Sequence, residues 1–326
     1  MILPSAARML YYPRALWGCG GRQLVTTQLE TERSNEALVG ALFVLASGVG
    51  FGSVTVLARI AFEGGSNAPT SLALRFGLGA GIFWLLLLAR RQIRQLPTQR
   101  IAAFGLMGLL FAAGSTVSFM SIERIPASLS ALVFYIYPAI VTAGSALFFR
   151  TRFTLPQLGV LVAAVTGCAL TVDLQTGDID ALGLALALAT PFFYSGYVLI
   201  GSRATLGVAP LHASAWIMSF AAPLMILLGV TGAFGDRLTT DISARGWAAI
   251  AGLTIFSTVI SISTFLAGMA RLDPFRASIL STIEPVISVV LAALLLSEHL
   301  TPQQVLGGVV IVSSTIALQL TQRGRG

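Results

Sequence analysis

Between residues 37 and 320 the chain alternates apolar blocks of about 20 residues with short polar or glycine-proline breakers. That block length matches a hydrocarbon layer about 30 Å thick crossed at 1.5 Å per residue. The blocks are continuously apolar, whereas the strands of a membrane barrel alternate residue by residue, so the pattern predicts helices. Ten are predicted, at 37–60, 70–89, 101–119, 128–149, 157–173, 182–200, 212–232, 247–268, 276–296 and 304–320. The breakers include EGGSNAP, RRQIRQLPTQR and DLQTGDID. Residues 1–36 hold no such block; they carry Arg8, Arg14, Arg22, Arg33, Glu30, Glu32 and Glu36. They read as a disordered cytoplasmic tail, or as sequence upstream of the true start.

Composition agrees with a polytopic membrane protein. The 326 residues are 56% hydrophobic and 10% charged, with a mean hydropathy of +0.86, against about 25% charged in soluble domains. The pI near 10.2 suggests nucleic acid at first sight, but all 20 basic residues are arginine and they scatter among short loops. No nucleic-acid partner is expected. Cys19 and Cys168 have neither disulfide nor metal spacing, and His212 and His299 belong to no ligand cluster. No metal and no cofactor is expected.

The arginines orient the spans. With both termini cytoplasmic, fifteen arginines fall on the cytoplasmic side and three, Arg124, Arg237 and Arg245, outside, while Arg59 and Arg75 lie within spans. The two halves also resemble each other. At a shift of 147 residues Arg124 meets Arg271, Pro138 meets Pro285, Thr154 meets Thr301 and Gln157 meets Gln304. At a shift of 144, Gly52, Val54 and Arg59 meet Gly196, Val198 and Arg203. An odd number of spans per repeat, five, forces the second unit to insert upside down. The expected domains are thus a first repeat over 37–173 and a second over 182–320. Inverted repeats about a midplane site are the recurring architecture of secondary transporters.

The segment Ala277–Glu298 carries Glu284 near the middle of an apolar run, followed by Pro285. A carboxylate at that depth costs about 2.5–3.5 kcal/mol on insertion scales, so such residues face a bundle interior or a wet cavity. Two readings stay open for Glu284: a proton carrier or counter-charge for a cationic group, and a structural partner for backbone freed by Pro285. Helical spacing puts Ser281, Glu284 and Ser288 on one face, with a second polar stripe at Ser257, Ser261 and Thr264. Both stripes are candidate linings of a substrate path; the alternative is hydroxyls bonded back to their own helices. Pro138 and Pro285 are candidate paired hinges. Tyr135, Tyr137, Tyr194, Tyr197 and Phe193 are candidate contacts for an aromatic or amphipathic substrate, or ordinary packing. Arg75 either snorkels to the interface or finds a partner inside the bundle. The glycine ladders 48–50–52 and 77–79–81 suit close helix approach.

PTSLALRF at 69–76, GLALALATPFFYSGYVLIGSR at 183–203 and IEPVISVVLAALLLSEHLTPQQVLGG at 283–308 resemble the EamA-type permeases of the drug/metabolite transporter superfamily. Tyr137 departs from that pattern, standing where the second repeat has Glu284. The resemblance implies ten helices in two inverted repeats and a multi-pass protein of the bacterial inner membrane. It also implies carriage of a small organic molecule, an amino acid or related compound foremost, outward in many members. Uptake of a nutrient and drug efflux are the alternatives within the class. A membrane-embedded enzyme would need a reactive constellation that the spans lack, and a channel would not need inverted repeats. Without ATP-binding motifs, proton coupling is the simplest drive. The pattern leaves oligomeric state open.

Overall fold

The structure is a computed structural model that describes residues 19–122, 124–125, 133–171, 180–233, 237–296 and 301–323. Among the described residues the regular structure is helical. The first apolar block forms α1 (Cys19–Gly52) and α2 (Val54–Glu63), which are nearly continuous, since Ser53 N–H still donates to Val49 O. Residues 19–36, expected to be disordered, continue this helix upstream; residues 1–18 lie outside the described set.

Helix ends follow local chemistry. α3 (Ala68–Ala89) opens on Asn67, whose Oδ1 accepts the Thr70 N–H at 3.0 Å, with Pro69 in the first turn, where a missing N–H is harmless. α4 (Thr98–Ile122) follows. α5 (Tyr137–Phe149) stops at Arg150, which adopts a left-handed φ of 54°. α6 (Leu155–Thr171) opens where the Thr154 N–H and hydroxyl donate to Gln157 Oε1. At α13 (Pro302–Arg323) the Thr301 N–H donates to Gln304 Oε1, and the Gln304 N–H donates to Thr301 Oγ1. This is a capping box, which explains why threonine and glutamine recur at the 147-residue shift.

α7 (Ala181–Ala204) is capped by Asp180, which accepts from the Leu182 and Gly183 N–H groups. Those bonds, with Arg124 beside it, hold the Asp180 carboxyl below the usual range. α8 (Pro210–Thr231) leads to α9 (Ala244–Thr254), a π turn over Ile255–Ile260, and α10 (Ser261–Met269). The next apolar block divides into α11 (Pro274–Ser281) and α12 (Glu284–Leu296).

Seven helical stretches among the described residues are long and apolar enough to cross a membrane: 35–63, 68–89, 98–118, 181–204, 210–231, 244–269 and 274–295. α5 and α6 are apolar but shorter, at 13 and 17 residues. The predicted helix 128–149 is interrupted before Tyr137, and its first part falls outside the described residues.

The two repeats run in opposite directions. The end of α2 meets the start of α9, where the Ser243 N–H donates to Gly64 O, and Asn67 Nδ2 beside it donates to Arg237 O. The end of α7 meets the start of α4, where Arg100 donates to the Arg203 and Ala204 carbonyls. α3 connects these two faces, starting at the first and ending at the second. The 144-residue mates α1/α2 and α7 therefore finish on opposite faces. Two ion pairs repeat the relation. Arg124 meets Asp180 at 3.2 Å, and Arg271 meets Glu36 at 3.1 Å. The arginines are 147-residue mates and the carboxylates 144-residue mates. Helix pairs follow suit: α4 packs on α7 as α1 packs on α10, while α3 packs on α8 and α6 on α13.

Candidate functional site

Both repeats interrupt a helix at the same register. In the first repeat Tyr135 and Ile136 form a turn before α5; in the second Thr282 and Ile283 form a turn before α12, each 147 residues later. Pro138 and Pro285 each occupy the second position of the helix that follows. Without an N–H, proline cannot bond back into the preceding turn, so the ladder opens there.

Glu284 begins α12 and is 9% exposed. Its Oε1 has no hydrogen-bond partner among the described residues. It sits against α1, whose glycines allow contact that no side chain would permit. A Cβ on Gly52 would stand 2.8 Å from Glu284 O, and one on Gly48 2.5 Å from Cγ2 of the neighbouring Ile283. Ser288 donates to Gly52 O at 2.7 Å, tying α12 to the same place. Tyr137 Oη donates to Ser278 O at 3.0 Å, beside Ser281, so the first repeat's interruption lies against the second repeat's.

An aromatic network surrounds this point. Tyr137 and Tyr194 meet edge to face at 4.9 Å, Phe134 lies 5.0 Å from Tyr137, and Tyr197 stacks on Phe265 at 6.2 Å. Such rings add packing energy beyond their buried area. The tyrosines offered from sequence thus do converge, joined by Phe134 and Phe265, which no sequence signal distinguished from other apolar residues.

Other sequence candidates are placed differently. Ser257 and Ser261 are fully buried. Ser257 Oγ meets Ser53 Oγ at 2.9 Å, and Ser261 Oγ donates to Phe256 O close to Gly50. They lie in the seam between α1 and the π turn with α10. Thr264 donates to its own helix at Ile260 O, as Ser281 does at Ala277 O. Only Ser281 and Ser288 stand beside Glu284.

Arg75 does not snorkel. It is buried, and its Nε donates to Thr258 Oγ1 at 2.6 Å while Nη2 donates to Ser257 O at 2.9 Å. The π turn widens the ladder so that Thr258 and Ser261 bond five residues back, to Leu253 O and Phe256 O. That irregularity frees the Ser257 carbonyl for the guanidinium, and periodicity alone does not reveal it. Of the second glycine ladder only Gly79 is crowded, by Thr258. Trp84 and Trp216 pack edge to face at 5.5 Å between α3 and α8.

Comparison with known proteins follows the same division into halves. The model of the EamA-like transporter family matches twice, over residues 38–173 and 181–319. An uncharacterized inner membrane transporter of Escherichia coli, YedA, is 27% identical, over 87% of this chain and 90% of its own. An uncharacterized transporter of Bacillus subtilis, YcbK, is 23% identical, over 85% and 92%. The threonine/homoserine exporter RhtA of Salmonella typhimurium is 26% identical, over 79% and 83%. A crystal structure shares the fold with a TM-score of 0.74 at 20% identity, covering 89% of this chain and 99% of that one.

Proposed function

This chain belongs to the EamA-like transporter family, and from that premise we propose that it is a secondary active carrier exporting an amino acid or related metabolite. It is a membrane transporter; the finer reading concerns cargo, direction and drive. One observation carries it: a buried carboxylate, Glu284, with an oxygen lacking any partner among the described residues, set where the interrupted helices of two oppositely directed repeats meet. A group so placed can take up a proton, or pair with a substrate ammonium, and either event changes the charge buried at the seam. The likeness to a threonine/homoserine exporter supports amino-acid cargo. In this reading ten spans cross the inner membrane, both termini are cytoplasmic, and Pro138 and Pro285 are the hinges.

The test is transport in proteoliposomes under an imposed pH gradient, with a panel of amino acids and amines. Counterflow that saturates is expected for a carrier. Glu284→Gln is expected to lose pH-driven accumulation at least tenfold while remaining folded. Wild-type rates for this variant at every pH would end the coupling role. A reporter at 174–181 reading the same side as the C-terminus would end the topology.

A further inference from the structure

A cavity of about 620 Å³ lies away from the Glu284 seam, on the arginine-rich face. Its floor is α7, at Gly196, Leu199 and Ile200; α4 forms one wall with Ala103, and α5 the other with Phe148 and Phe149. Both walls pack on α7, and glycine at 196 lowers the floor between them. Phe148 is 70% exposed, so in a bilayer the groove opens sideways to hydrocarbon.

Arg100 and Arg203 stand at one end of an otherwise apolar lining. Arg100 spends Nη1 on the last carbonyls of α7, and its other donors make no hydrogen bond among the described residues. The Arg203 guanidinium carbon lies over the Phe149 ring, 4.6 Å from its centroid, and a cation held on a ring face keeps N–H donors for an anion. Neither arginine is ion-paired among the described residues. The opposite face is built differently: Arg59, the 144-residue mate of Arg203, meets Glu63 at 3.4 Å, and Arg245 meets the same carboxylate at 3.8 Å.

We infer that this groove binds an anionic phospholipid, its acyl chain along α7 between α4 and α5 and its phosphate on Arg100 and Arg203. The charge at the rim and the apolar length behind it match the two parts of that molecule and of no free ion.

Native mass spectrometry of the full chain tests this with phosphatidylglycerol, phosphatidylcholine of the same acyl chains, and inorganic phosphate. Phosphatidylglycerol is expected to be retained at least tenfold better than phosphatidylcholine. The double variant Arg100→Gln/Arg203→Gln should lose the preference, and Arg100→Lys/Arg203→Lys should keep it. Ala103→Trp, which fills the groove and leaves both arginines, should release the lipid. Arg124→Gln/Arg237→Gln on the other face should retain it. Equal retention of the two lipids, wild-type preference in Ala103→Trp, loss in Arg124→Gln/Arg237→Gln, or displacement by millimolar phosphate would each overturn the site.

Discussion

The turns before α5 and α12 occupy equivalent places in the two repeats, and each is followed by proline, but they present different groups. The first presents Tyr137, whose hydroxyl is satisfied by the Ser278 carbonyl across the seam. The second presents Glu284, with an oxygen unmatched among the described residues. The same contrast recurs between the helices that follow one another in pseudo-symmetry. α4 runs regularly through 108–113, whereas its mate opens into a π turn over Ile255–Ile260 that holds Arg75. The second repeat thus carries the buried carboxylate and the irregular backbone, and that backbone holds the buried arginine of the first. Both repeats supply the aromatic surface beside them, Phe134 and Tyr137 from the first and Tyr194, Tyr197 and Phe265 from the second. The two mated turns share a frame and differ in chemistry, whereas the π turn has no counterpart in the first repeat's helix.

Substitutions compared between the two repeats test this asymmetry. The largest effect is expected from Gly52→Val, because its Cβ would press on Glu284 O and Ile287. Overpacking of this kind costs about 1–3 kcal/mol and at times more. Its mate Gly196→Val meets only the end of Leu110, at 3.3 Å, and should cost clearly less. Thermal unfolding in detergent compares the two.

Thr258→Val comes next. It keeps the shape but leaves Arg75 Nε without its acceptor, a loss of about 1.5–3 kcal/mol for a hydrogen bond to a charged group. Thr142→Val, whose hydroxyl bonds only to Pro138 O on its own helix, should cost less. Equal losses would mean that the π turn gains nothing from the guanidinium.

Helix caps rank third. Thr301→Ala should lose about 1 kcal/mol, and Thr154→Ala less, because only the Thr301 hydroxyl is seen to accept from the backbone N–H of its glutamine.

The exposed ion pairs come last. Charge reversal at Arg124 should lower stability slightly, and added salt should erase the difference; in an Asp180→Asn background, which keeps the cap acceptor, the same reversal should have no effect. Because Asp180 is more acidic in the folded chain, its contribution is present above the ordinary carboxylate range and fades as pH falls below about 4. A stability profile that rises on acidification would contradict this.

The pattern of apolar blocks was enough to reveal helices that cross a membrane, since hydrophobic length is a one-dimensional property. It also revealed the repeat, and the mated arginines, prolines and Thr–Gln pairs turned out to mark ion pairs, helix interruptions and caps. Glu284 was legible for the same reason: a carboxylate in an apolar run is costly wherever the chain folds. Less legible was which neighbour each polar group would meet. Ser257 and Ser261 share a helical stripe with Thr264, yet they bury in a seam against α1, because glycines at 48, 50 and 52 draw that helix close. For Arg75 the sequence left snorkelling and a partner inside the bundle both open, and only a π turn nearly two hundred positions away, offering a hydroxyl and a carbonyl, decided between them. Periodicity assigns residues to a face of a helix, and only the packing of helices distant in sequence determines whether that face meets lipid, water or another helix.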